Sequence, residues 1–258
     1  MLRAVVIGIN KYRDPNIGNL SYACADAEEF GRLLSEGIHP AERSVRVLLD
    51  AEATKRNVMI AIGEDLPRVS SANDVIVLYF AGHGSPETEA SPDEASRYLV
   101  AHDTDHENIY ATGIDMEREL PRWYERIQQP KLVLLFIDAC FSGRAGGRTF
   151  EGPRLRRARS GTRQAGRLSL RTLDLGEGRL MMAACDDDQV AREFPSLGHG
   201  VFTHCLLQSL RQQDETKDTI SLHALYDDVS EAVRAHTQAR QIPILNGRSR
   251  GAKLPRFG

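Results

Sequence analysis

An α/β fold built on parallel strands is what this sequence predicts, on two observations: short runs of strand-forming apolar residues, and between them segments whose apolar residues recur at helical spacing. Leu2 to Asn10 is an apolar, β-branched run suited to a strand covered on both faces. Ser21 to Leu34 sets Ala23, Ala27, Phe30, Leu33 and Leu34 at helical spacing, with Gly37 as the stop. A strand (Ser44 to Leu49), a helix opening near Thr54, a strand from Asp74 to Phe80 and a short strand from Arg97 to Ala101 follow. The alternation continues with a helix from about Asp115 to Gln128, ended by Pro130, and a strand from Leu132 to Ile137. Arg179 to Ala184 then reads as a strand, and Val201 to Leu210 and Leu222 to His236 as helices.

Composition narrows the function classes. A chain of 258 residues with 41% hydrophobic content can bury one good core, so one globular unit is expected. The net charge of −3 gives no general attraction to nucleic acid or to an anionic membrane, so any charged partner must be met locally. No signal-peptide pattern opens the chain at Met1-Leu2-Arg3 and no apolar run is long enough to cross a bilayer, which predicts a cytoplasmic protein without a membrane partner. Cys24, Cys140, Cys185 and Cys205 are far apart and form no Cys-x-x-Cys pair, which argues against a zinc site or a dense disulfide frame.

Two strings carry chemistry. Tyr79-Phe80-Ala81-Gly82-His83-Gly84 and Phe136-Ile137-Asp138-Ala139-Cys140-Phe141-Ser142-Gly143 each end a strand-forming run and break into small residues. An imidazole and a thiol are thereby delivered to strand ends of one sheet, the edge at which parallel α/β sheets bind ligands. A thiol becomes a strong nucleophile when a neighbouring base favours the thiolate, so the pair points to acyl transfer. Either residue alone has a plainer explanation, a turn histidine or a buried, inert cysteine; it is the pairing, the strand context and the spacing that favour catalysis.

With Val5-Val6-Ile7-Gly8-Ile9-Asn10, Leu20-Ser21-Tyr22-Ala23-Cys24-Ala25-Asp26-Ala27, Ala184-Cys185-Asp186-Asp187-Asp188-Gln189 and His199-Gly200-Val201-Phe202-Thr203 in order along the chain, the sequence resembles caspase-like cysteine proteases, and within them metacaspases and bacterial caspase-like proteases more than animal caspases. The resemblance implies a caspase-like three-layer sandwich, with a central, mostly parallel sheet flanked by helices. It also implies a large portion at 1–143 carrying the dyad, a linker at 144–175 and a small portion at 176–258. Cys140 is then the nucleophile, His83 its acid–base partner, and the backbone N–H groups of Gly84 and Cys140 the oxyanion donors.

The residue two before the nucleophile holds an acidic substrate side chain in animal caspases when it is Gln; here it is Asp138, which repels Asp and attracts Arg or Lys. The metacaspase pattern adds Asp26 as a second acid. Two carboxylates facing one narrow pocket suit the planar fork of a guanidinium, so Arg is expected over Lys. The serine that metacaspases carry two before the histidine is Ala81 here. Asp186 and Asp187 are expected to flank the substrate cleft, although Asp186, Asp187 and Asp188 also suit a solvated turn. Asp103 and Asp105 are expected in a loop on the same face, and His199 and His204 in structural or surface roles. No cofactor or metal is assigned: some metacaspases depend on Ca²⁺, but Glu87, Glu89, Asp93 and Glu94 do not reproduce that family's calcium pattern.

One stretch breaks the alternation. Arg144 to Leu173 lacks apolar periodicity and is rich in arginine, which predicts a mobile loop unable to offset its ordering entropy by burial. It matches the linker between large and small portions, so Arg154, Arg156, Arg157, Arg159 and Arg163 are candidate processing sites, and the protein is expected to be a zymogen cut by itself or by an upstream protease. The expected partners are proteins with exposed Arg sites. Bacterial relatives suggest a role in stress or antiviral defence. Two other readings use the same residues: a catalytically silent caspase-fold adaptor or nucleic-acid-responsive scaffold using the basic loop, disfavoured because Phe150 is the loop's one aromatic residue, and a hydrolase of small amides or esters.

Overall fold

Along Leu2–Gly8 (β1) successive side chains point to opposite faces, Val5 and Ile7 into one core, Ala4 and Val6 into another, and all four are buried. A strand buried on both faces needs a helical layer on each side, and the computed structural model supplies both. It describes residues 1–36, 43–86, 96–141, 148, 170, 175–186, 189–212, 219–249 and 253–255.

After β1 come Ala23–Ser35 (α1), Arg43–Leu49 (β2), Lys55–Ile60 (α2), Leu66–Val69 (α3) and Val75–Ala81 (β3). Gly84–Pro86 (β4), Arg97–Leu99 (β5), Ile109–Thr112 (α4), Ile114–Asp115 (β6), Met116–Arg126 (α5) and Leu132–Asp138 (β7) complete the first part. The remainder is Arg179–Ala183 (β8), Glu193–Phe194 (β9), His199–Gly200 (β10), Val201–Arg211 (α6), Thr219–Ser221 (β11), Leu222–Thr237 (α7), Ile244–Arg248 (β12) and Lys253–Pro255 (β13).

The main sheet runs β12-β8-β7-β3-β1-β2, with β12 antiparallel to β8 and the other pairs parallel. One face is covered by α1, α6 and α7 through Ala27, Phe30, Phe202, Leu206 and Val229. The other is covered by α2, α3 and α5 through Val58, Leu66, Leu120 and Trp123. Burial of each large apolar side chain contributes on the order of 1.5–3 kcal/mol, so the sandwich is held from both sides. The expected three-layer α/β architecture is therefore the one observed, and β8, beyond the Arg-rich segment, pairs directly with β7 before it.

Local chemistry sets several boundaries. Thr54 caps α2 by accepting from Asn57 N, Asp115 caps α5 by accepting from Arg118 N, and Ser221 caps α7 by accepting from Ala224 N. The strand expected over Arg97 to Ala101 is shorter, ending at Leu99, and belongs to a separate three-stranded sheet with β4 and β6. The edge strand β12 was not foreseen: Ile244, Leu245 and Asn246 are followed by Gly247 at φ 120°, a weak strand signal that its pairing with β8 overrides.

Candidate active site

The sheet register brings His83 and Cys140 to neighbouring strand ends. β3 and β7 are neighbours with Ala81 opposite Asp138, and His83 and Cys140 each lie two residues beyond that pair. Strand order reverses between β1 and β3, since β1 leads outward to β2 while the chain returns to β3 and continues toward β7. Such a switch point opens a crevice at the carboxyl ends of parallel strands. The turns after β1, β3, β7 and β8 surround it.

His83 is buried. Its Nε2 bonds the Gly18 carbonyl at 2.7 Å, and since a carbonyl only accepts, Nε2 carries the hydrogen and Nδ1 keeps its lone pair. Nδ1 makes no hydrogen bond of normal geometry, although the Arg148 backbone lies close enough to favour the protonated ring. Burial nevertheless lowers the histidine's pKa to about 4, with the Arg148 charge adding to the effect, so the ring is neutral at neutral pH. Tyr12 fixes it from below: the phenol accepts the His83 backbone N–H at 2.8 Å, and the two ring centroids are 5.1 Å apart. The Cys140 thiol is buried and donates to the Gln189 carbonyl. At Gly84 a side chain is excluded, because a Cβ there would lie 2.5 Å from the Cys140 carbonyl oxygen and 2.9 Å from the Phe141 ring.

Arg148 occupies the crevice. Its carbonyl oxygen accepts from Gly84 N at 3.2 Å and from Cys140 N at 3.0 Å, and its own N–H donates to the Ala191 carbonyl at 3.0 Å. Its guanidinium enters a pocket lined by acids, pairing with Asp26, with Asp138 Oδ2 at 2.9 Å and with Glu193 Oε1 at 3.1 Å. Arg148, Asp26 and Asp138 are all fully buried. The carboxylates raise the pKa of the guanidinium well above its ordinary value despite burial, which works the other way. Burial is also the largest effect on Asp138, raising its pKa, with Asp26 adding to the rise and Arg148 opposing it.

Each acid is oriented by further bonds. Asp138 Oδ2 accepts from Thr203 Oγ1 at 2.6 Å, and that hydroxyl also meets Tyr79 OH at 2.6 Å. Asp26 accepts from Gly200 N and bonds His199 Nδ1 at 2.6 Å. Glu193 accepts the backbone N–H groups of Ser21 and Tyr22, both at 3.1 Å. Gly200 forms a wall without which the pocket would fill, since a Cβ there would lie 2.6 Å from Asp138 Oδ2 and 2.7 Å from the guanidinium.

The structure thus brings Asp26, Asp138, His83, Gly84 and Cys140 around one residue. Asp186 lies in the turn whose Gln189 meets the thiol, through Gln189 N donating to the Asp186 carbonyl at 3.0 Å; Asp187 lies outside the described residues. Sequence reasoning missed Glu193, Gly200, Thr203 and Tyr12. Gly200 and Thr203 stood inside a quoted motif, whereas nothing in the local sequence marks Glu193 as a pocket acid. Of the structural and surface roles expected for His199 the structural one holds: its bond to Asp26 makes it part of the pocket wall, and that carboxylate raises its pKa. Asp103 and Asp105 act as caps, accepting from Lys55 N and from Glu107 N and Asn108 N.

The Arg-rich segment also needs correction at two points. Arg148 and Leu170 are buried, not mobile-loop residues, because three carboxylates offset the desolvation of one, while the other joins the apolar core. Arg154, Arg156, Arg157, Arg159 and Arg163 lie outside the described residues. Among the described residues no cluster of three side chains suits a metal ion, and no helix is long and apolar enough to cross a membrane.

Comparison with known proteins bears on the fold and the family. No curated protein matches the chain. The crystal structure of protein GSU0716 from Geobacter sulfurreducens is similar in fold, with a TM-score of 0.66 at 19% identity, covering 95% of this chain and 93% of that one. The family model of the caspase domain matches residues 1–254, so this chain belongs to the caspase-domain family.

Proposed function

We propose that the protein is a cysteine endopeptidase that hydrolyses peptide bonds after Arg, and less well after Lys, with Cys140 as nucleophile and His83 as its acid–base partner. The observation that carries the reading is Arg148, a residue of the chain itself, seated with its side chain among Asp26, Asp138 and Glu193 and its carbonyl on two backbone N–H groups.

The chemistry follows from those contacts. Neutral His83, with a free lone pair on Nδ1, takes the thiol proton as Cys140 Sγ attacks the carbonyl carbon. Negative charge then develops on the oxygen held by Gly84 N and Cys140 N, and each such donor is worth on the order of 10²-fold or more in rate. His83 delivers the proton to the departing amine, leaving a thioester, and then draws a proton from the water that hydrolyses it. The guanidinium spreads five N–H donors over a planar fork wider than the compact ammonium with its three, and so spans the separated carboxylates better, hence Arg over Lys.

The same reading makes the protein a zymogen processed within the Arg-rich segment, by itself or by an upstream protease, and places it in a reducing cytoplasm, consistent with four free cysteines. Fluorogenic peptides ending in Arg, Lys or Asp, offered to the wild type, Cys140→Ala and Asp138→Asn, test it. Turnover in the order Arg, Lys, Asp, abolished by Cys140→Ala, is expected. Turnover of Asp peptides alone refutes the pocket assignment. No turnover, with salt-dependent oligonucleotide binding, favours the scaffold alternative.

A further inference from the structure

Arg148 makes the contacts of a substrate residue without being one that arrives from outside. Its chain runs directly from the nucleophile, with only residues 141–147 between Cys140 and Arg148. We propose that Arg148 is a tethered inhibitor that holds the specificity pocket against other substrates, and that it keeps this place whether or not the bond after it is cut. The inference rests on the Arg-pocket reading above.

Tethering over so short a span gives an effective concentration of about a millimolar or more, set against freely diffusing substrates at much lower levels. The guanidinium has three carboxylates, its N–H has the Ala191 carbonyl, and its own carbonyl has two donors, so both side chain and backbone are engaged. The carbonyl oxygen is held by the Gly84 and Cys140 N–H groups, the donors that attack by Cys140 would use. Attack forms the Cys140 Sγ–Arg148 C bond and breaks the Arg148–Thr149 C–N bond. The thiol proton passes through His83 to the Thr149 amine, which leaves with the downstream chain. Water then splits the thioester, restoring the thiol and leaving Arg148 as a carboxylate.

That product remains joined to Cys140. Its guanidinium keeps the same three acids, so the cut does not empty the pocket. Cuts farther along, after Arg154, Arg156, Arg157, Arg159 or Arg163, also leave Arg148 on the nucleophile's side. Only a break between Cys140 and Arg148 detaches it, and the one Arg or Lys in 141–147 is Arg144. Processing at or beyond Arg148 is therefore separate from opening of the cleft, which needs a cut after Arg144 or displacement of Arg148.

Three measurements on the full chain decide it. In the Cys140→Ala background, a peptide ending in Arg should bind at least tenfold more tightly once Arg148→Ala is added, read by calorimetry. In the active enzyme, Arg148→Ala should lower KM for Arg peptides at least tenfold with kcat unchanged, while intact-mass spectra show a 1–148 fragment from wild type only. Equal peptide affinity with and without Arg148 overturns the inhibitor and leaves the protease reading standing. Wild type cut after Arg148 that binds the peptide as tightly as the Arg148→Ala variant overturns retention. Peptide binding to neither variant overturns the pocket reading itself. Arg148→Gln, checked by its melting curve, serves if Arg148→Ala does not fold.

Discussion

Two arginines are buried at opposite ends of the sheet, and they are satisfied in opposite ways. Arg179, where β8 begins, donates to the backbone carbonyls of Ile127, Pro130 and Gly178 at 2.8, 3.0 and 3.3 Å and lies 5.9 Å from the Tyr124 ring centroid. It makes no ion pair with any described acid, and burial lowers its pKa. Arg148, at the carboxyl ends of the strands, meets three carboxylates drawn from α1, β7 and β9, and its pKa is raised. Neutral carbonyls from nearby turns can only staple a permanent resident. Three acids around one cation leave excess negative charge, which is costly when the cation is absent and therefore selects for another cation.

Exchanging the charge at either end sharpens that contrast. Asp138→Asn should have the largest effect, lowering kcat/KM for Arg peptides by about 10²–10³-fold in steady-state kinetics, as expected for removing one partner of a buried pair. Because burial raises the Asp138 pKa, acid should protonate this carboxyl before ordinary ones. KM for Arg peptides should therefore rise as pH falls, a rise that Asp138→Asn abolishes; a pH-independent KM would break the charge argument.

Tyr12→Phe removes the acceptor of the buried His83 N–H and should cost about 1–3 kcal/mol in stability and lower kcat about tenfold with KM unchanged, as steady-state kinetics would show. Arg179→Met should cost a similar 1–3 kcal/mol by urea titration yet leave Arg preference intact; altered specificity would erase the distinction between the two ends. Glu193→Gln should have the smallest effect, narrowing Arg-over-Lys selectivity by about 2–5-fold, since the amide still offers an acceptor to Ser21 or Tyr22.

Much of this was legible because strand-end chemistry is local. The runs before His83 and Cys140 announce adjacent strands, and the small residues after them announce where the side chains emerge. Asp138 was readable for the same reason, being fixed in register with its own cysteine. Glu193 was not, because its place depends on β8 returning beside β7 and on the Ser21 and Tyr22 amides that hold its carboxylate, contacts made far from it in sequence. The Arg-rich segment misled in the other direction: its composition describes an average chain in water, and Arg148 escapes that average through three specific partners.

By itself the sequence determined the α/β alternation, the two strand ends and the sign of the charge beside Cys140, since periodicity, small-residue breaks and ionisation are properties of short segments. Only the tertiary structure decided which arginine fills the acidic pocket, which third acid completes it and which imidazole nitrogen keeps its lone pair. Those depend on carbonyls, amides and carboxylates converging from the turns after β1, β3, β7 and β8, and convergence is set by strand order and register.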